Sequence, residues 1–351
     1  MGRVALSWPL VGLPPVASRC QIHLATGFFA PHLDMPNTEV ITANCMDWMR
    51  TQPDKRFRLT MTSPPYEDAR TYGINYKARR QDWVDSLVPI IVECCRLTDG
   101  LVCVNMSARV REYSYSCAVE WLVADLTRLH GVICGPSPYV FYRIGIPGSG
   151  QRHYHRRDWE PVYCFCLPDR LPLKHTNNLY FGKPSKYKPG GAMSHRNADG
   201  KRRNEQTSRH STKNQWSGSA SMSQKRRQNG ERDQSVRPSH QDVRQYAAPP
   251  VANPGNVIRC NVGGGHMGSR HAAENEAPMP ERLAEFFIRS FSEQGSTIFD
   301  PFCGSGTTLA VAKRTNRHSV GVDVRDSQVK LTLRRLTTVQ PELPFSEASH
   351  D

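Results

Sequence analysis

With 351 residues the chain is long enough for one large α/β domain carrying an insertion, or for two smaller domains, so length sets no limit on burying a core. Forty-six Lys and Arg against 32 Asp and Glu leave a formal charge of +14, which acts on polyanions through space and makes nucleic acid the leading partner while saying nothing about topology. Three classes are disfavoured: no apolar run reaches the roughly 20 residues of a membrane helix, the eleven cysteines contain no CxxC pair with zinc-ligand spacing, and their scatter is unlike a small secreted scaffold.

Free thiols in a reducing cytosol fit this cysteine usage better. Residues 1–37 read as a poorly ordered extension. Arg3 and the run from Val4 to Leu13 faintly resemble a secretory leader, but the unpaired cysteines and a large basic insertion argue against export. Met35 stands just before the first regular pattern, Glu39-Val40-Ile41-Thr42, and the expectation is that translation starts there.

From 38 to 169 short apolar runs alternate with amphipathic stretches, the pattern of strands and helices wound into one sheet. Arg58 to Thr62 reads as a buried strand ended by Pro64-Pro65, which cannot continue a ladder. Trp83 to Leu97 is helical, with Trp83, Leu87, Ile90, Ile91 and Cys94 on one face, and Asp99-Gly100 ends it before the strand Leu101 to Val104. A helix over Val119 to Leu129 follows, then Pro138 to Tyr142 and Pro161 to Phe165, which pair as a candidate sheet-edge hairpin.

Residues 170–254 form a separate insertion. Its stretch 183–245 is nearly devoid of aliphatic residues and carries fifteen Lys/Arg against five Asp/Glu, so a surplus of ten charges sits in one segment. Such a segment reads as a solvated linker in the free protein, able to order on phosphates when DNA binds. Regular structure returns over 255–338: Gly255 to Arg259, a helix from Pro280 to Phe291, the strand Thr297 to Phe299, a Gly-rich turn and helix, the strand Ser319 to Val322, and a helix from Asp326 to Leu336. Residues 339–351 are a tail.

The Gly-rich turn is Phe302-Cys303-Gly304-Ser305-Gly306-Thr307-Thr308-Leu309, placed where backbone N–H groups and a helix N-terminus face a ligand. A dinucleotide fingerprint needs a third glycine where Leu309 stands, and a phosphate-binding loop needs Gly-Lys-Ser/Thr, which is absent. Two carboxylates flank the turn. Asp323 is placed for ribose hydroxyls, and Asp300 for a cationic or amino-bearing part of the ligand, a combination that suits S-adenosylmethionine.

The other chemical segment is Ser63-Pro64-Pro65-Tyr66. The exocyclic amine of cytosine or adenine is a poor nucleophile because its lone pair is conjugated into the ring. Ser63 Oγ and the Pro64 carbonyl can each accept one amine N–H and localise that lone pair, Pro65 stiffens the turn, and Tyr66 can stack on a base flipped from its duplex.

On these two motifs the sequence resembles the amino-group DNA methyltransferases, which make N4-methylcytosine or N6-methyladenine. Ser63 to Tyr66 is similar to the catalytic motif, and Phe302 to Gly306 to the FxGxG cofactor motif. The motif order resembles the permuted β group. The resemblance, over residues 38–168 and 255–336, implies a doubly wound, mostly parallel α/β sheet with S-adenosylmethionine as cofactor. It implies cofactor contacts from Asp300, Pro301, Phe302, Gly304, Gly306, Thr307 and Asp323, and catalytic roles for Ser63, Pro64, Pro65 and Tyr66. Asn44 stands where the family usually has Asp near the adenine, and Asn275 where its HxAxFPxxL motif has His, with Pro280 in that motif. Serine in the first catalytic position resembles the N4-cytosine enzymes more than the N6-adenine ones. Trp159-Glu160 is a candidate for positioning the flipped nucleotide, with a structural carboxylate as the competing reading.

The resemblance further implies double-stranded DNA as partner, gripped by Lys183, Lys186, Arg202, Arg203, Arg226 and Arg227, with Tyr180, Tyr187 and Trp216 as the aromatics of that region. It implies a cytoplasmic, nucleoid-associated protein of a prokaryote or phage. In a restriction–modification setting a companion endonuclease would be encoded nearby. Two rivals are a decayed, nonenzymatic DNA-binding protein, disfavoured by the intact motifs, and a small-molecule or protein methyltransferase, which leaves the concentrated charge unexplained.

Overall fold

The computed structural model describes residues 18–21, 35–67, 76–111, 113–135, 138–145, 157–170, 254–262, 274–275 and 278–342. Its strands are β1 (Ser18–Gln21), β2 (Thr38–Thr42), β3 (Phe57–Thr62), β4 (Thr98–Asn105), β5 (Val110–Arg111), β6 (Ser114–Tyr115), β7 (Ile133–Cys134), β8 (Tyr139–Ile144), β9 (Trp159–Cys166), β10 (Val257–Asn261), β11 (Thr297–Asp300) and β12 (His318–Asp323). The α-helices are α1 (Cys45–Arg50), α2 (Arg80–Leu97), α3 (Ala118–Leu129), α4 (Glu281–Phe291), α5 (Thr307–Arg314) and α6 (Asp326–Thr337). A second unit, Gly182–Asn253, lies wholly outside the described residues.

The main sheet runs β1-β2-β12-β11-β3-β4-β9-β8-β10, with β7 also on β9. Strands β2, β12, β11, β3 and β4 are mutually parallel; β9 is antiparallel to both β4 and β8, and β10 is parallel to β8. The expected α/β sheet and its antiparallel hairpin are therefore present. The hairpin is not the sheet edge, however, because β10, arriving after the insertion, pairs outside it from Val257↔Val140 to Asn261↔Ile144.

Central strands are buried on both faces, so they read as apolar runs whose alternate residues join different cores. On β4, Val102 and Val104 pack with α2 and α3, whereas Leu101 and Cys103 join Leu283, Phe287 and Ile288 of α4. On β11, Phe299 joins the first set and Ile298 the second. Phe57 and Phe299 stack at 4.5 Å, and Trp48 lies 5.6 Å from Phe299. Each such side chain contributes about 1.5–3 kcal/mol when fully buried.

Three local details add to the expected pattern. Asp99-Gly100 does not separate α2 from β4; the chain passes straight into the strand, and a Cβ on Gly100 would stand 2.4 Å from the Arg58 carbonyl oxygen. The short α1 starts at Asn44, whose side chain accepts from Met46 N and Asp47 N as an N-cap. Within the extension, Ser18–Gln21 forms a strand on β2. Among the described residues no helix is long and apolar enough to cross a membrane, and the ten cysteines from Cys45 to Cys303 are free thiols, most of them buried.

Candidate active site at the sheet's switch point

Strand β11 leads through α5 to β12 on one side, and β3 leads through α2 to β4 on the other, so the winding reverses between two adjacent parallel strands. Ligands of open α/β sheets bind beyond the strand C-termini at such a reversal. The Ser63–Tyr66 turn leaves the end of β3, and the loop 301–306 leaves the end of β11. Two buried hydrogen bonds join the segments: Thr62 Oγ1 donates to Asp300 Oδ1 at 2.7 Å, and Thr308 Oγ1 donates to the Met61 carbonyl at 3.1 Å.

The loop's own bonding indicates which ligand it suits. Phe302 N donates to Asp300 Oδ1 at 3.1 Å, and Gly304 N donates to Asp323 Oδ2 at 3.0 Å. These amides are committed to carboxylates of the protein, so a phosphate here would meet anions rather than free donors. A cationic or hydroxyl-bearing ligand meets the complementary charge. Burial pushes the Asp300 carboxyl from its ordinary 3.8 up to about 6, against the lowering pull of Thr62, Thr308 and the Phe302 amide. Asp323 also accepts from Arg325 N at 2.9 Å and pairs with its guanidinium at 3.2 Å. Counting Gly304 N and the N, Nε and Nη2 of Arg325, four donors occupy the about four acceptor positions of this carboxylate, so a ribose hydroxyl would bind there by displacing the Arg325 guanidinium. The donor set thus fits S-adenosylmethionine and disfavours phosphate-led binding.

Gly304 and Gly306 both adopt left-handed backbone, φ 50° and 74°. A Cβ on Gly304 would lie 3.1 Å from Asn275 Nδ2, which places Asn275 against the loop. At Gly306 a Cβ would lie 2.6 Å from Thr332 Cγ2, so this glycine serves close approach of α6. Gly306→Ala is expected to cost roughly 2–4 kcal/mol, combining left-handed strain with the clash. Chemical denaturation of the two proteins measures it.

Other expected contacts have structural partners. Thr307 Oγ1 accepts from Arg335 Nη1 at 3.0 Å, and the same nitrogen donates to the Ser305 carbonyl at 3.1 Å. Thr332 Oγ1 donates to the Gly304 carbonyl at 2.7 Å. Pro280 is buried at the start of α4, beside Glu281, whose carboxylate accepts from Arg335 at 2.6 Å. Pro301 is buried and Phe302 half-buried. Asn44 is exposed two residues beyond Thr42, the residue in register with Asp323.

The acceptor turn is clamped from α2 and β9. Trp83 Nε1 donates to the Pro65 carbonyl at 2.8 Å, and Glu67 Oε1 accepts from Arg80 N at 2.8 Å in the first turn of α2. Tyr66 OH donates to Glu160 Oε2 at 2.8 Å and accepts from Asn105 Nδ2 at 3.0 Å. Ser63, Pro65 and Tyr66 are half-buried and Pro64 is buried. Sequence pattern had not singled out Trp83, Glu67, Asn105, Thr332 or Arg335 for this site. The expected DNA contacts Lys183, Lys186, Arg202, Arg203, Arg226 and Arg227 lie outside the described residues, as do Tyr180, Tyr187 and Trp216.

Reversed winding, a glycine loop bonded to two carboxylates and a proline-stiffened turn meet at one end of an open α/β sheet, and comparison with known proteins gives the family. The family model described as DNA methylase, the N6/N4 methyltransferases, matches residues 57–334, and the chain belongs to that family. Among curated proteins it is similar to the orphan methyltransferase M.BamHII of Bacillus amyloliquefaciens, 40% identical over 65 residues, 18% of this chain and 24% of that protein. It is also similar to the type II methyltransferase M.HpaI of Haemophilus parainfluenzae, 33% identical over 85 residues, 24% and 26% of the two chains. These matches span about a quarter of the relatives' length. Among solved structures, PvuII DNA methyltransferase (cytosine-N4-specific) shares the fold, with TM-score 0.57, 14% identity and 86% of each chain covered.

Proposed function

We propose that this chain methylates DNA at an exocyclic amine, with S-adenosylmethionine as donor and N4 of a flipped-out cytosine as target. The observation that carries this reading is the hydrogen-bonded junction Thr62–Asp300 and Thr308–Met61, which sets the acceptor turn beside the acidic loop. Membership of the DNA methylase family supports the reaction class.

S-adenosylmethionine, when bound, supplies an electrophilic methyl on a sulfonium centre. Asp300 would hold its cationic portion, Asp323 would take its ribose hydroxyls in place of the Arg325 guanidinium, and Asn44 at the neighbouring strand end would hold its adenine. Pro301, Phe302, Gly304, Gly306, Thr307 and Pro280 shape the walls, Thr307 through its bond to Arg335. Ser63 Oγ and the Pro64 carbonyl accept the two amine N–H groups, so the nitrogen lone pair is directed at the methyl carbon. Pro65 keeps those acceptors fixed, with its own carbonyl held by Trp83. Tyr66 stacks on the extruded base and recovers part of the unstacking cost. Transfer of the methyl to the amine nitrogen would break its bond to sulfur and release the neutral thioether, and one amine proton would be lost to water after transfer, because a serine hydroxyl is too weak a base to keep it. Serine rather than aspartate at position 63 supports cytosine over adenine. Lys183, Lys186, Arg202, Arg203, Arg226 and Arg227, in the segment with the surplus charge, contact phosphates.

Incubating the full chain with methyl-labelled cofactor and unmodified DNA tests the reading. Label is expected in DNA and, after digestion, in N4-methylcytosine. Recovery as N6-methyladenine would keep the reaction class and overturn the cytosine assignment, and absence of label from DNA would overturn both.

A further inference from the structure

Behind the acceptor turn, four polar side chains from four segments converge. Glu160, on β9, accepts from Tyr66 OH at 2.8 Å through Oε2 and from Arg143 Nη1 of β8 at 2.9 Å through Oε1. Asn105, at the end of β4 and 3% exposed, donates through Nδ2 to Tyr66 OH at 3.0 Å and to Glu160 Oε2 at 3.4 Å. The carboxylate therefore sits between two donors on one side and a guanidinium on the other, and it fixes where the Tyr66 hydroxyl points.

We infer that Glu160, held by Arg143 and Asn105, is a positioning residue that sets the plane of the Tyr66 ring for the target base. The inference rests on the reading of Ser63 to Tyr66 as the amine site. A tyrosine tethered only through its backbone can rotate about two side-chain bonds, and each rotation takes the ring out of register with a flipped base. Anchoring the far end of the ring by a charge-assisted hydrogen bond removes that freedom before the base arrives. The anchor is itself fixed, because the Arg143 pair and the β8–β9 pairing Phe141↔Glu160 hold the carboxylate on a sheet rather than on a loop.

A second observation concerns the polar atoms of the network. Asn105 Oδ1 is buried and has no hydrogen-bond partner among the described residues. Its orientation follows from chemistry: the amide must present nitrogen, the donor, to the Glu160 carboxylate, so the oxygen is the end left over. A buried acceptor without a donor is costly, and Arg143 Nε of the same network is likewise buried without a partner among the described residues, so the protein alone does not saturate these side chains. A purely structural carboxylate would account for the Arg143 pair but not for the convergence on Tyr66.

The test is a double-mutant cycle on the full chain with Tyr66→Phe, Glu160→Ala and the pair, measuring kcat and KM on unmodified DNA, cofactor affinity and melting temperature. Each single change is expected to lower kcat about tenfold, by loosening ring orientation, with cofactor affinity within about twofold. The double variant is expected to match the worse single, because both changes remove the same interaction. Effects that multiply to about a hundredfold would overturn the inference, as would a loss confined to melting temperature. If Glu160→Ala does not fold, the cycle is run with Glu160→Gln, which keeps one acceptor and the side-chain volume. Wild-type protein that transfers no methyl to DNA would overturn the underlying reading instead, a result visible before any variant is made.

Discussion

Ser63→Ala is expected to lower kcat for methyl transfer by about 10²–10³-fold while leaving cofactor affinity within about twofold. This magnitude is that of removing one preorganised hydrogen-bonding group aimed at charge reorganisation in a transition state. The amine of the target base loses one of its two acceptors, so its lone pair stays conjugated with the ring and meets the methyl carbon in poor alignment. The turn itself should persist. Its shape depends on Pro64 and Pro65, on Trp83 Nε1 bonding to the Pro65 carbonyl, and on Glu67 accepting from Arg80 N at the start of α2, none of which needs the Ser63 hydroxyl. The proposed cofactor contacts, Asp300 and Asp323, lie on the other side of the junction and do not involve the Ser63 hydroxyl. Single-turnover transfer with saturating cofactor, beside equilibrium binding of the cofactor alone, separates the two quantities. Unchanged kcat would remove Ser63 from the chemistry.

The sheet and both motifs were legible because they depend on local pattern. Two apolar strands end in Pro-Pro and in a glycine turn, and side-chain alternation on β4 and β11 is a property of neighbouring residues. Non-local pairing is not encoded that way. Strand β10 shows the alternating burial of an edge strand, yet nothing in Val257 to Asn261 specifies Val140 to Ile144 as its partner across the insertion. Helix α1 has six residues, too few for a periodic signal, although Asn44 as N-cap was a readable start.

The supporting polar side chains divide along the same line. Arg335 carries a charge and reads as solvated, but it lies three residues after Thr332 and four after Leu331, on the buried face of α6. Its position could have been found by ignoring its charge and keeping the helical spacing. Asn105 could not, and Glu160, although a sequence candidate beside Trp159, could not be linked to Tyr66, because only the antiparallel pairing of β9 with β4 brings the three together. Trp83 was legible as core, and its indole N–H bond to Pro65 follows from where the turn lies in space.

Asp300→Asn should stabilise the cofactor-free protein at neutral and alkaline pH and at the same time weaken its hold on the cofactor. Asp300 is 3% exposed, and burial raises its carboxyl from 3.8 to about 6. The folded state therefore holds a proton that the unfolded state releases, and the stability this confers is fully present below pH 3.8. It is lost as pH rises through about 6. The shift of roughly two units corresponds to ~3 kcal/mol that the ionised wild type forgoes by pH 8. Asparagine stays neutral and keeps an oxygen for the Thr62 hydroxyl and the Phe302 amide, so the variant should be more stable than wild type by about 2–3 kcal/mol at pH 8. The two proteins should converge near pH 4. Cofactor binding should behave oppositely. A cationic ligand favours the ionised carboxylate, so wild-type affinity should rise about tenfold between pH 5 and 7 and stay flat in the variant, which binds more weakly throughout that range above pH 6. Denaturant titrations at pH 4, 6 and 8, with calorimetric binding at pH 5 and 7, measure both arms. Equal pH dependence in the two proteins would place the ionisation elsewhere, whereas a variant that gains stability without losing affinity would show that Asp300 only stitches β11 to β3. The proposed site predicts the opposed pair, since the carboxylate that costs the empty fold stability is the one that the charged ligand uses.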